Sequence, residues 1–287
     1  MCYNALRERR GKCYMGFWTK LLQIMNTQME TPTWFGWFHI MWLCIMVATT
    51  VLLCVFGRKN TGKTVCNVLL WTSVGLMLLE VYKQVTYTFG DGSGEPSYMW
   101  YAFPFQFCST PIYVSFLAGI FRKGKVHDAF CAYLATFGVF AGLAVMIYPG
   151  NVYIPIMGIN IQTMVWHSSM VVIGLYLFAS GHVKLAHKTV LKAVPVFAVA
   201  VAMAAGMNEL AYQTGLLENH NFNMFYISPY CEPNLPVYSI VQQHVPYPYS
   251  LAIYILGFTA AAYVVQLLAM LVMGDKRRAK KAALQEV

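Results

Sequence analysis

Charge is scarce in this sequence. Asp, Glu, Lys and Arg make up 11% of the 287 residues, against a hydrophobic share of 58%, and the mean hydropathy is positive. A soluble domain carries about 25% charged residues. A chain so poor in charge cannot cover a water-facing surface, which excludes soluble enzymes and soluble binding modules and leaves the membrane class. Acidic residues are scarcer still, 11 against 20 Lys and Arg. The basic excess does not point to nucleic acid, because it sits in short clusters between apolar runs, the pattern of loops facing an inner leaflet.

Paired cysteines are also lacking. Cys2, Cys13, Cys44, Cys54, Cys66, Cys108, Cys131 and Cys231 are scattered, with no CxxC and no metal-ligand spacing. No zinc site or disulfide framework is legible, several of these thiols fall inside apolar runs where they behave as small hydrophobes, and neither a metal nor a cofactor is expected. There is no low-complexity linker, so one bundle domain is the reading. No cleavable leader is apparent: the apolar run near Met15 to Met25 is short and broken by Lys20 and Gln23, which suits an interfacial helix better.

What is present is a series of apolar windows, each near the 20 residues that cross a bilayer. They lie at 35–56, 66–89, 101–121, 127–148, 161–180, 190–211 and 250–273. The fold class expected is all-α, a polytopic bundle of about seven transmembrane helices. It divides into a tail over 1–34, a transmembrane domain over 35–273 with an outer loop at 212–249, and a basic tail over 274–287. Arg58, Lys59 and Lys63 follow the first window, Arg122, Lys123 and Lys125 the third, and Lys184, Lys188 and Lys192 the fifth. Lys276, Arg277, Arg278, Lys280 and Lys281 follow the last, and the loops after windows two, four and six hold no Lys or Arg. That bias places the basic loops and the C-terminus in the cytoplasm and the N-terminus outside. Arg7, Arg9, Arg10, Lys12 and Lys20 run against it, but lie 15 or more positions before the first window, where the bias weakens. The chain is expected in the cell membrane of a bacterium or an endomembrane of a eukaryote.

The outer loops differ in character. The one at 90–100 is Gly-rich and acidic, with Asp91 and Glu95; Pro149 and Pro155 mark the next. The long 212–249 loop has five prolines and many tyrosines, a composition that argues against disorder. It is expected to fold over the outer mouth of the bundle.

Polar residues inside the windows are expensive and mark either function or a packing pair. At 1.5 Å per residue, Lys83, Cys108 and His167 each fall roughly 9–10 Å below the outer end of their windows. Gln106 and Gln162 share that layer, and Asn208 and Glu209 end the sixth window, while the inner halves are almost purely apolar. The pattern suggests a polar pocket opening outward. Glu80, Lys83, Gln84 and Tyr87 share one helical face; Glu80 and Lys83 are either a structural ion pair or part of a site. Cys108 and His167, each ordinarily a packing residue, at matched depth form a candidate nucleophile and base.

Three blocks carry a family resemblance. Phe103-Pro104-Phe105-Gln106-Phe107-Cys108-Ser109 resembles a signature of the YwaF family of integral membrane proteins, and so does Asn160-Ile161-Gln162-Thr163-Met164-Val165-Trp166-His167. Asn221-Phe222-Asn223-Met224-Phe225-Tyr226, with Pro229 and Tyr247-Pro248-Tyr249, is similar to the family's late outer loop. The segment from Glu80 to Lys83 matches more loosely, and the resemblance spans roughly residues 66 to 273. Eukaryotic relatives of the family are implicated as acyltransferases of ether phospholipids, with a cysteine and a histidine at the positions of Cys108 and His167. The resemblance therefore implies Cys–His acyl transfer on membrane lipids.

On that reading His167 takes the proton of Cys108, and the thiolate attacks a lipid acyl ester. Gln106, Ser109 or Gln162 donates to the oxyanion, and Glu80 and Lys83 seat a phosphate, with Asn208, Glu209 and Asn223 in support. Two other readings stay open: a small-solute carrier or receptor without catalysis, which the prolines around Cys108 favour, and an assembly protein without a site. A channel is disfavoured, because no polar stripe crosses the inner halves.

Overall fold

The structure, a computed structural model, describes residues 19–90, 96–150, 152–215, 222–232, 235–247 and 249–283, with only the backbone course of 274–283. Arg7, Arg9, Arg10, Lys12, Cys2, Cys13, Asp91, Glu95, Asn221 and Pro248 lie outside the described residues. In lipid every backbone amide must be satisfied within the chain, and helices supply that here: among the described residues the only β pairing is an isolated bridge between Gln28 and Ile156.

Helix α1 spans Trp37–Phe56 and α2 Gly62–Phe89, opened by Thr61, whose hydroxyl accepts from the Thr64 amide at 3.3 Å as an N-cap. Helix α3 covers Thr110–Phe121. Helix α4 runs over Lys125–Ile147, widened by a π turn at Leu134–Gly138. Then come α5, Met157–Ala179; α6, Thr189–Gln213, with Pro195 inside it; α7, Tyr238–His244; and α8, Tyr249–Ala283. A short helix at 19–25 precedes them, where an interfacial helix is expected. The long apolar helices α1, α2, α4, α5, α6 and α8 are long enough to cross a membrane, so the chain is a polytopic helical membrane protein.

The third window departs from a plain span. A 3-10 turn at Trp100–Ala102 leads into non-helical backbone, and regular helix begins only at Thr110. Pro104 and Pro111 are the reason: proline has no amide to donate and fits only a helix's first turn. Twelve residues of α3 rise about 18 Å, short of a hydrocarbon core about 30 Å thick. The broken stretch completes the crossing, which lipid tolerates only where protein covers the backbone. The last window also extends further than expected, since α8 continues through the start of the basic tail.

Burial orders the bundle. Helix α5 is central, with 78% of its apolar window buried, against 11% for α1 and α8. Helix α5 packs on α1 and α4, α2 on α3, and the first half of α4 on α6. Ile40, Val47, Leu256 and Leu268 are exposed on the peripheral helices, where lipid takes the place of a protein core. Two glycines let the central backbones meet. A Cβ at Gly142 would lie 2.7 Å from the His167 carbonyl oxygen, and one at Gly174 would lie 2.6 Å from the Leu134 carbonyl oxygen.

Candidate functional site

The face expected on α2 is a connected polar network. Lys83 Nζ lies 2.8 Å from Glu80 Oε1. Gln84 Nε2 donates to that same oxygen at 2.6 Å and to the Ala102 carbonyl at 2.9 Å, and the Tyr98 hydroxyl donates to Gln84 Oε1 at 2.7 Å. The other carboxylate oxygen, Glu80 Oε2, is buried without a partner. An unpaired buried oxygen beside a mostly buried ammonium is costly, and it is free to receive a donor.

Cys108 sits on the non-helical stretch just ahead of α3, so the amide-rich N-terminus of that helix lies beside it. Its carbonyl accepts from the Trp166 indole Nε1 at 2.9 Å, and its thiol lies against the Ser109 hydroxyl, within electrostatic reach of Lys83 and Glu80. Lys83 Nζ stands 5.8 Å from the centre of the Trp166 ring, a cation–π distance. The next residue, His167, is buried, and its Nδ1 lies 2.7 Å from the Thr163 carbonyl oxygen. A carbonyl only accepts, so Nδ1 carries the proton and a neutral ring has a bare Nε2. That Nε2 is buried and has no hydrogen-bond partner. Lys83 is within electrostatic reach of His167 as well. The thiol and the imidazole are not hydrogen-bonded to one another; Trp166 and Lys83 link their surroundings.

The remaining candidates divide by what they hold. Gln106 Nε2 donates to the Asn223 carbonyl at 3.0 Å, and its Oε1 accepts from the Phe225 amide at 2.9 Å. Asn208 bonds both backbone groups of Met224, at 3.0 and 2.7 Å, and Asn223 Oδ1 accepts from the Ser228 amide at 2.9 Å. These amides bind the outer loop to the bundle. With them Phe225 packs its ring against Phe105 and Phe107, both at 5.9 Å. Burial, with Cys108 and Tyr101 nearby, pushes the Tyr226 phenol up, so this loop reaches the neighbourhood of Cys108. Ser109 and Gln162 are buried, Gln162 accepting a 3.5 Å contact from Thr163. Glu209 is apart from Cys108, at the exposed end of α6, where Gln213 and Tyr230 donate to it at 2.7 Å each.

The chain matches the TMEM164 family over residues 34–271. It belongs to that family. The match takes in the spans as far as residue 271 and both polar blocks around Cys108 and His167, so the site just described lies wholly within TMEM164-family sequence. Comparisons with curated proteins and with solved structures gave no match.

Two features of this TMEM164-family chain were not legible in its sequence. A cavity of about 540 Å³ opens near the basic loops, lined by Thr50, Cys54, Arg58, Leu143, Leu175 and Met273 among others. It is of ligand size but at the other end of the bundle from Cys108. The second is a group of Cys66, His127 and His182, whose ligand atoms all lie within 4.8 Å of one another. Neither spacing nor motif announces it, because three separate elements deliver the three side chains.

Proposed function

We propose that this chain is a lipid acyltransferase working through Cys108 and His167 in a pocket within the outward half of the membrane. The carrying observation is the buried, unpartnered Nε2 of His167, with Lys83 in electrostatic reach of both that ring and the Cys108 thiol. The likeness of the Cys108 and His167 blocks to the YwaF family, with its ether-phospholipid acyltransferase relatives, supports the same reading.

The chemistry balances with these groups alone. His167 Nε2 accepts the Cys108 proton, and the sulfur attacks the carbonyl carbon of a phospholipid acyl ester. The C–O bond breaks, the departing alkoxide takes the proton from His167, and a thioester remains on Cys108. An acceptor lipid hydroxyl then gives its proton to His167 and attacks the thioester, and the thiol is restored. The N-terminus of α3 favours the negative charge that develops beside Cys108. Lys83 seats the donor phosphate, and Glu80 holds Lys83 in place. For the first transfer sulfur and Nε2 must close to hydrogen-bond reach, a tightening that substrate-free sites commonly need.

The charge bias supports an outer N-terminus, a cytoplasmic basic end and residence in a cell membrane or endomembrane. Residues 35–273 then act as one transmembrane domain beneath the 212–249 loop, between the tails 1–34 and 274–287. The deciding experiment is acyl exchange between labelled phospholipid and lysophospholipid by purified protein in lipid vesicles. Cys108→Ala and His167→Ala abolish exchange on this reading; turnover by Cys108→Ala equal to wild type overturns it.

A second reading, a carrier or receptor for a small solute, is favoured by the discontinuous third span, since broken helices build transporter sites. Solute uptake by the same vesicles, with no acyl exchange, selects it.

A further inference from the structure

Cys66 lies in the second turn of α2, His127 in the first turn of α4, and His182 in the loop after α5. They meet at the basic end, about 26 Å along α2 from Lys83 at 1.5 Å per residue, so this group is separate from the Cys108 site. Cys66 is 1% and His127 2% exposed. The two imidazoles approach Nε2 to Nε2 at 2.7 Å, with their rings nearly perpendicular.

The tautomer of His127 is fixed from behind. Its Nδ1 lies 3.0 Å from the Ala118 carbonyl oxygen, which only accepts, so Nδ1 holds the proton and a neutral ring aims a bare Nε2 into the group. A backbone carbonyl behind one nitrogen is the support that metal-bound histidines use to orient the other. Cys131, one turn further along α4, rests its Sγ over the His127 ring, 3.5 Å from Nε2 and 3.9 Å from Nδ1, and so packs beside the group without facing the Nε2 lone pair. Cys66 Sγ has a weak 3.8 Å contact with the Arg122 carbonyl, which it can release.

We propose that Cys66, His127 and His182 form a site for a zinc ion. Two imidazoles and a thiol suit a borderline-soft ion and offer nothing to calcium or magnesium, which take oxygen ligands. Bonds of about 2.0–2.1 Å to nitrogen and about 2.3 Å to sulfur put tetrahedral neighbours about 3.3–3.6 Å apart. The two imidazoles, 2.7 Å apart at Nε2, need to part by only about 0.6 Å. On binding, the Cys66 thiol gives its proton to solvent as sulfur bonds the metal, and His182, whose Nε2–H donates to His127 Nε2 in the structure, shifts to the tautomer with the proton on Nδ1. The ion ties the start of α2, the start of α4 and the α5–α6 loop together through three protein ligands, and water completes the tetrahedron.

The test uses the full-length chain purified in detergent without chelator, loaded with zinc sulfate and freed of excess by gel filtration. Elemental analysis should find about one zinc per chain, and cobalt loading of the wild type should give a thiolate-to-cobalt charge-transfer band with tetrahedral d–d absorption. Cys66→Ser and His182→Ala should lose the ion, and Cys44→Ser, at an exposed thiol of α1, should keep the metal and the full charge-transfer band. Wild-type protein that retains no zinc and shows no cobalt–thiolate band overturns the proposal, as does full zinc retention by folded Cys66→Ser and His182→Ala. The cobalt spectrum of the wild type decides the matter even if every variant fails to fold.

Discussion

The Trp166 indole donates to the Cys108 carbonyl at 2.9 Å, and so α5 fixes the one stretch of the third span that has no helix of its own to hold it. Both groups are in a cluster with Leu76, Ile112 and Met170, Trp166 buried in it and Cys108 partly buried against it. Trp166→Phe keeps most of the ring but leaves that carbonyl unpaired, a loss of about 1–3 kcal/mol. The expected outcome is a lower melting temperature. If Cys108 is the nucleophile, acyl exchange should fall by between about tenfold and a hundredfold as its backbone shifts. Differential scanning fluorimetry and the vesicle exchange assay read the two effects separately.

The Glu80–Lys83 pair makes a sharper contrast. Its side chains are only 9% and 17% exposed, so removal of one partner strands the other. Lys83→Met should destabilise the protein by about 3–5 kcal/mol, whereas Glu80→Gln with Lys83→Met leaves no unpaired charge and should recover most of that loss. The result to look for is a double variant more stable than Lys83→Met. If the single and double variants melt together, the pair is not coupled.

Sequence carried the spans well, because lipid forces the apolar run and the helix to coincide. It carried the break in the third span only as a hint, through Pro104 and Pro111, since prolines say where a helix cannot run and not how far it unwinds. The amides of Gln106 and Asn208 fell in the expected layer, but depth does not reveal that the outer loop's backbone takes them. The Cys66–His127–His182 group was illegible for a related reason. Its members come from two helix starts and a loop, and only the packing of α2 against α3, and of α4 against α5, brings them to one point.

Gly142 sets the distance between α4 and α5 at His167. A methyl group there would stand 2.7 Å from the His167 carbonyl oxygen and 2.9 Å from Val171 Cγ2, closer than real contacts allow. Gly142→Ala should therefore push the helices apart and destabilise the bundle by about 1–3 kcal/mol. Gly75→Ala, where the added group meets nothing within 4 Å, is the control and should be neutral or slightly stabilising, since alanine is the better helix former. Thermal melting of the two variants in the same detergent makes the comparison.

The outer loop is bound to the bundle by few but buried bonds, and Asn208 supplies two of them through Met224. Met224 and Phe225 are fully buried, and Phe225 and Tyr226 hold left-handed backbone, a conformation that non-glycine residues keep only when their surroundings compel it. Asn208→Leu fills a similar volume yet leaves the Met224 amide without a partner and its carbonyl with only the 3.4 Å bond from the Ile227 amide, at about 1–3 kcal/mol for the stranded amide. The segment should respond by local opening rather than by global unfolding, because α6 itself loses no packing. Hydrogen exchange over 222–228 should quicken markedly in Asn208→Leu while exchange in α5 stays at the wild-type rate. Unchanged protection at 222–228 would mean that aromatic packing of Phe222 and Phe225 holds the loop, and that the amide contacts are incidental.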